Sequence, residues 1–355
     1  MQWNSSLVQE KISFNFKNTD LLFLSLSDPS YGKQINQPDS DNQRLESLGE
    51  NLLALIIIDY LYHHFPYLTL SKMTALQDKL LDKEKLTNLW FSLGLGESYP
   101  FLDVNQERHR LRVKTTNPFE KSLKALVAAI HVDRGFSHSY NWFNKHLIAP
   151  LLAKHQKDNL ERVNPDKQLN ILGSTLLKAV TFDYLYTLLP YVKPGQLKKL
   201  SKTLTSKKQQ TEYLKKVTTE DWEIITTEQD KISKKSFTSL FGAMFIHLDH
   251  ENPKTRYRNS KKWFKENFID EDEVLYDAIS SLLRDGIPQK WIIREILGYK
   301  SKDYDRGRKR FHEIMDQSSD KISVKTEHYN IFKFYITHCY LPTPHAESGE
   351  SGLFL

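Results

Sequence analysis

Apolar residues recur at spacings of three and four along most of the chain, and this periodicity predicts a helical protein. Within 43–55, Leu45, Leu48, Leu52 and Leu55 form one stripe, which predicts the start of a buried helix. Glu46 and Glu50 share another face of it, and like charges four apart repel unless a cation lies between them. Two carboxylates beside an apolar stripe, with Gly49 allowing close approach, suit a hard metal ion; a solvated acidic face has the same pattern. Leu52–Tyr62 is the most apolar run and is too short to span a membrane. Gly and Pro number only 13 each, so the expected fold class is all-α.

The pattern repeats. Asp59-Tyr60-Leu61-Tyr62, followed by Phe65-Pro66-Tyr67, returns as Asp183-Tyr184-Leu185-Tyr186, followed by Leu189-Pro190-Tyr191. The same offset, from 59 to 183, carries Leu45-Glu46-Ser47-Leu48-Gly49-Glu50 onto Leu169-Asn170-Ile171-Leu172-Gly173-Ser174. At a slightly shorter offset, Leu126-Val127-Ala128-Ala129-Ile130 meets Leu240-Phe241-Gly242-Ala243-Met244. A period of this size is that of a domain, not of a solenoid repeat. The polar stretch 153–168 is expected to contain the connection.

A different pattern follows the second copy. Trp263, Phe264, Phe268 and Ile269 close its last helix, and Asp270-Glu271-Asp272-Glu273 reads as an acidic break. Val274, Ala278, Ile279, Leu282 and Leu283 then form an apolar stripe, and Asp285-Gly286 a turn. Pro288 suits the first turn of a second helix bearing Trp291, Ile292 and Ile296, which Gly298 ends. Tyr304 to Ile314 form a third helix with Arg306, Arg308, Lys309 and Arg310 on its exposed side. Helix, turn, helix, turn and basic helix over 274–316 resemble a helix-turn-helix module that could bind nucleic acid; short trihelical units also dock proteins. From about Pro342 the chain is polar, and 342–355 is expected to be a disordered tail.

The segment Gln43-Arg44-Leu45-Glu46-Ser47-Leu48-Gly49-Glu50 resembles the signature helix of the ribonuclease III family, which runs Glu-Arg-Leu-Glu-Phe-Leu-Gly-Asp. Its flanks are similar too: Lys11-Ile12-Ser13-Phe14-Asn15-Phe16-Lys17-Asn18, Ser27-Asp28-Pro29-Ser30-Tyr31, Leu70-Ser71-Lys72-Met73-Thr74-Ala75-Leu76, Leu93-Gly94-Leu95-Gly96 and 125–136 follow the family's order. The resemblance covers about 7–150. With the repeat it implies two tandem domains, 1–152 and 160–269, and an intramolecular pseudodimer, because family members pair across a valley that holds duplex RNA. A linker keeps such halves at high effective concentration, so the chain is expected to be monomeric.

The resemblance also implies a magnesium site built from four acidic positions, and here the chain departs from it. Glu46 and Glu50 stand at two of these positions, while Lys121 and Lys124 stand at the other two. Gln43 replaces the acidic residue that often opens the signature helix. In the second copy the matching positions are Asn170, Ser174, Lys235 and Thr238, none of them a carboxylate. An ammonium in the cage repels a divalent ion, so no cofactor is expected, with Mg2+ required only if nuclease activity remains. Lys121 and Lys124 are expected to pair with Glu46 and Glu50 in place of the metal. Glu120, rotated about 100° by a one-residue helical step, is not expected to take part.

Composition adds limits. Lys and Arg exceed Asp and Glu by 50 to 44, which is compatible with a nucleic-acid partner. Lys72 and the run Lys193, Lys198, Lys199, Lys202, Lys207, Lys208, Lys215 and Lys216 are candidate RNA contacts or solvated helix faces. The single Cys339 excludes an intrachain disulfide and fits the cytoplasm or another reducing compartment that contains nucleic acid. No signal peptide or membrane span is expected. His63, His64, His131, His138 and His155 show no metal-ligand spacing. The first reading is thus a non-cutting ribonuclease III-like protein. It would bind double-stranded or structured RNA as a scaffold or subunit of a ribonucleoprotein, with a protein partner. A metal-dependent endoribonuclease with rebuilt ligands, and a DNA-binding regulator acting through 274–316, are the alternatives.

Overall fold

The computed structural model describes residues 3–35, 40–96, 99, 101, 118–153, 165–218, 236–251 and 254–316, and side chains for all of these except 249–251. Lys235 and the 342–355 tail lie outside the described residues. Among the described residues the only β pairing is an isolated bridge between Ser27 and Phe101, and the fold is all-α. The chain divides between Ile269 and Asp270 into two compact units.

The first unit opens with three short helices, α1 (Ser5–Ile12), α2 (Thr19–Ser25) and α3 (Pro29–Gln34). Each is started by a side chain that accepts a backbone N–H: Asn4, Asn18 and Asp28. Next come α4 (Gln43–His64), α5 (Leu70–Leu80), α6 (Lys83–Ser92), α7 (Pro118–Arg134) and α8 (Phe136–Phe143). A π-helical turn, Asn144–Ile148, carries α8 on to Ala149–Leu152. The second copy follows with α9 (Pro165–Leu188), α10 (Pro194–Leu204), α11 (Lys207–Lys216), α12 (Phe237–Glu251) and α13 (Arg256–Phe268). Its first helix starts inside the stretch expected to be the connection, because Pro165 is pre-set for the first helical position.

Helices α4 and α9 form the centre. Their middle turns are apolar almost all round, as in Ile56-Ile57-Ile58 and Val180-Thr181-Phe182, and such helices must be covered on every side. Helix α4 is covered by α7, α9 by α12, and the two central helices pack on each other. Glycines set how closely each pair approaches. A Cβ on Gly49 would stand 1.9 Å from the Lys124 carbonyl oxygen, and one on Gly173 1.8 Å from that of Thr238. The two copies therefore repeat one helix crossing at one register.

The second unit contains α14 (Glu271–Arg284), α15 (Gln289–Glu295) and α16 (304–316). The acidic stretch lies at the boundary between the units and also starts α14. Asp270 accepts from the backbone N–H groups of Asp272 and Glu273, and acids favour a helix N-terminus. Pro288 caps α15 from outside it. Leu283 is more than a third exposed and leaves the apolar stripe, while Val274, Ala278, Ile279 and Leu282 are buried. Gly307 lets α16 approach α15 and the Tyr299 side chain; a Cβ there would lie 2.5 Å from an Ile293 methyl.

Candidate functional site

The start of α4 brings Glu46 beside α7. Asn42, just before the helix, donates from Nδ2 to Ser122 Oγ at 3.0 Å and to the Ser25 carbonyl, tying the first turn to α7 and α2. Glu46 is half-buried, and burial pushes its carboxyl above the usual range. Lys121, Lys124 and Lys198 oppose that rise, and neighbouring Glu50 adds to it. Cations thus surround Glu46.

The individual pairs differ from the expectation that Lys121 and Lys124 would take Glu46 and Glu50. Lys124 Nζ lies 2.5 Å from Glu120 Oε1 in its own helix, with the Glu120 side chain only 8% exposed. The four-residue spacing makes the two helical neighbours, so Glu120, discounted from its rotation, is a buried member of the cluster. Glu50 is taken at 3.1 Å by Lys198, which α10 of the second copy supplies. Lys121 is exposed and acts on Glu46 through space. Gln43 is exposed. Among the described residues, no three His, Cys, Asp or Glu side chains gather in a way that could hold a metal ion. The donor set does not fit the magnesium that the family resemblance implies, because bonded ammonium groups compensate Glu50 and Glu120.

Among the described residues, the matching place in the second copy holds no charged side chain bonded to Asn170. Asn170 Nδ2 donates to Ser236 Oγ at 2.7 Å and to Thr238 Oγ1 at 2.8 Å, with Ser239 Oγ at 3.3 Å. Ser236 and Thr238 are bonded to each other at 2.9 Å. Here an amide with two N–H groups lies among three hydroxyls. Ser174, on α9 one turn beyond Asn170, is half-buried.

Between the copies lie residues that the sequence reading did not single out. Arg44 donates to the Tyr186 carbonyl at 2.9 Å and to that of Val192, and its guanidinium lies over the Tyr186 ring. Gln168, the matching residue of the second copy, donates to the carbonyls of Pro66 at 2.8 Å and Leu68 at 2.7 Å. Val192 is the repeat mate of Leu68, so one bond is made in both directions. The repeated aspartates are buried at the same contact. Arg256 of α13 grips Asp59 with both terminal nitrogens. Asp183 receives Lys261 at 2.8 Å, the Tyr257 hydroxyl at 3.2 Å and His131 Nε2 of α7 at 3.2 Å. Burial alone would raise the Asp183 pKa, but His131 and Lys261 hold it at about 2. The Tyr257 hydroxyl is pushed up by burial and by the carboxylate it faces. His131 thus has a structural role. The available signal was an aspartate kept inside an apolar helix in both copies.

Of the candidate RNA contacts, Lys72, Lys199, Lys202, Lys207 and Lys208 are exposed, and Lys198 is held by Glu50. In the second unit Arg306, Arg308 and Lys309 are exposed. Arg310 departs from its expected exposed position: it bonds Asp272 of α14 and lies 3.8 Å from Glu313, holding the unit together.

Comparison with known proteins gives a family model described as Ribonuclease-III-like, which matches residues 18–151. Ribonuclease 3 of Borreliella burgdorferi is 34% identical over 130 residues, or 37% of this chain and 52% of that protein. The chain thus spans about half the length of that relative. Ribonuclease 3 of Chlamydia trachomatis is 27% identical over 175 residues, covering 49% of this chain and 72% of that protein. The solved nuclease domain of ribonuclease III from Campylobacter jejuni aligns with 40% of this chain and 98% of its own, at 25% identity and a TM-score of 0.36. Residues 18–151 thus form a ribonuclease III-like domain, and the similarity to curated ribonuclease 3 proteins includes this part of the chain.

Proposed function

We propose that the chain is a non-cutting ribonuclease III-like protein whose two copies pair with each other and bind double-stranded or structured RNA as a scaffold. The reciprocal bonds of Arg44 and Gln168 support the pairing, since a self-complementary contact repeats under a two-fold axis. The observation that supports lost cleavage is the Lys124–Glu120 ion pair in one copy and the Asn170 hydroxyl cluster in the other, at places where the resemblance implies an acidic set. Without a divalent ion, nothing in either place activates water or balances charge on a phosphate. Binding does not need that ion, because duplex RNA is held through its shape, phosphates and 2′-hydroxyls. Lys199, Lys202, Lys207 and Lys208 give the second copy an exposed basic surface.

Incubation of the purified chain with labelled duplex RNA, with magnesium or manganese, tests this reading. The expected outcome is salt-dependent binding without cuts, by a species sedimenting at the mass of one chain, 41.7 kDa. Cuts that vanish in Glu46→Ala would overturn the loss of cleavage, and absence of binding at low salt would overturn the RNA partner.

A further inference from the structure

A groove of about 640 Å3 opens between α4 and α5 of the first copy and α9 and α10 of the second. Its walls pair across the repeat: Asn51 with Thr175, Ala54 with Lys178, Gln77 with Ser201. The pairs are chemically unequal, and the inequality gives the groove a direction. Lys178 stands where the first copy has Ala54, and Lys202 adds a second ammonium on that side. Among the described residues that line the groove, the one acidic side chain, Glu50, is already bonded to Lys198. Three cations against one carboxylate leave a surplus of positive charge.

The rest of the lining suits a flat ring. Ala54 and Leu81 give a small apolar surface, with the buried Phe182 behind it. Two amides beside it are fixed through their nitrogens: Gln77 Nε2 donates to the Ala54 carbonyl at 3.0 Å, and Asn51 Nδ2 to the Ser47 carbonyl at 2.9 Å. Their oxygens can accept from amino or imino groups on a ring edge. The volume is within the range of about 300–1,000 Å3 of small-molecule sites, and the mostly polar lining suits a polar, anionic ligand.

We propose that this groove binds a nucleoside monophosphate. The phosphate, with a charge of about −2, lies against Lys178 and Lys202, and the base lies on Ala54 and Leu81 with its edge towards Asn51 and Gln77. The site exists only while the two copies are paired, and the ligand stabilises that pair by mass action. It does not depend on whether the chain also binds a duplex.

Equilibrium dialysis of the full-length chain against labelled AMP, GMP, CMP and UMP tests the site, with inorganic phosphate as competitor. Saturable binding of at least one nucleotide is expected, weakened at least tenfold by Lys178→Ala, abolished by Ala54→Trp, and resisted by phosphate at tenfold the concentration. Lys178 is exposed, so its replacement should leave the fold intact, and Lys202→Ala provides a second variant. No saturable binding, binding unchanged in all three variants, or equal competition by phosphate would each overturn the proposal.

Discussion

Lys124 and Lys198 each hold a glutamate, yet the two should matter very differently. The Lys124 and Glu120 side chains are 15% and 8% exposed, whereas Lys198 and Glu50 are both 53% exposed. Removing one partner of a buried pair leaves a desolvated charge and costs about 3 kcal/mol, while an exposed pair contributes about 0.5 kcal/mol. Urea unfolding should therefore show Lys124→Ala strongly destabilised and Lys198→Ala near the parent; equal midpoints would refute the difference in burial. The sequence puts Lys121 and Lys124 where the family resemblance implies carboxylates. The pairing of Lys124 was not legible in it, because a helical neighbour four residues away competes with a partner on the facing helix. Only geometry decides that contest for Lys124.

At the scale of elements, the same crossing is built twice, and a glycine sets each copy. Gly to Ala inside a helix ordinarily gains about 1 kcal/mol from propensity. At Gly49 and Gly173 the added methyl would meet a backbone carbonyl at 1.9 and 1.8 Å, and backbone does not step aside cheaply. Overpacking of this kind costs up to about 3 kcal/mol, so the clash decides the sign. Gly49→Ala and Gly173→Ala should each lower the melting temperature, and a rise in either would mean that the helices can slide apart. The central helices and their repeat were readable because spacing alone defines an apolar stripe. The acidic stretch at 270–273 marks the unit boundary, but its second role as a helix start was not legible, because acidic residues serve equally as linker and as helix N-terminus. The role of Asp59 escaped because its partner, Arg256, is remote in sequence.

For the whole molecule, the contact between copies carries a pH dependence. Asp183 titrates at about 2 against an ordinary 3.8, so its contribution is complete well above pH 4 and is lost as pH falls from there towards 2. The shift corresponds to about 2 kcal/mol. Asp183→Asn should lower stability near neutrality by about that amount and flatten the acid limb of a stability–pH curve. Parallel curves for the two proteins would remove Asp183 from the account. The reciprocal bonds have a consequence of another kind. In a homodimer every substitution is made twice, once on each side of the axis, and must be tolerated in both places. Here Arg44 and Gln168 occupy matching positions with different chemistry. One chain that carries both sides can alter either alone, so one half is free to drift while the other stays constrained.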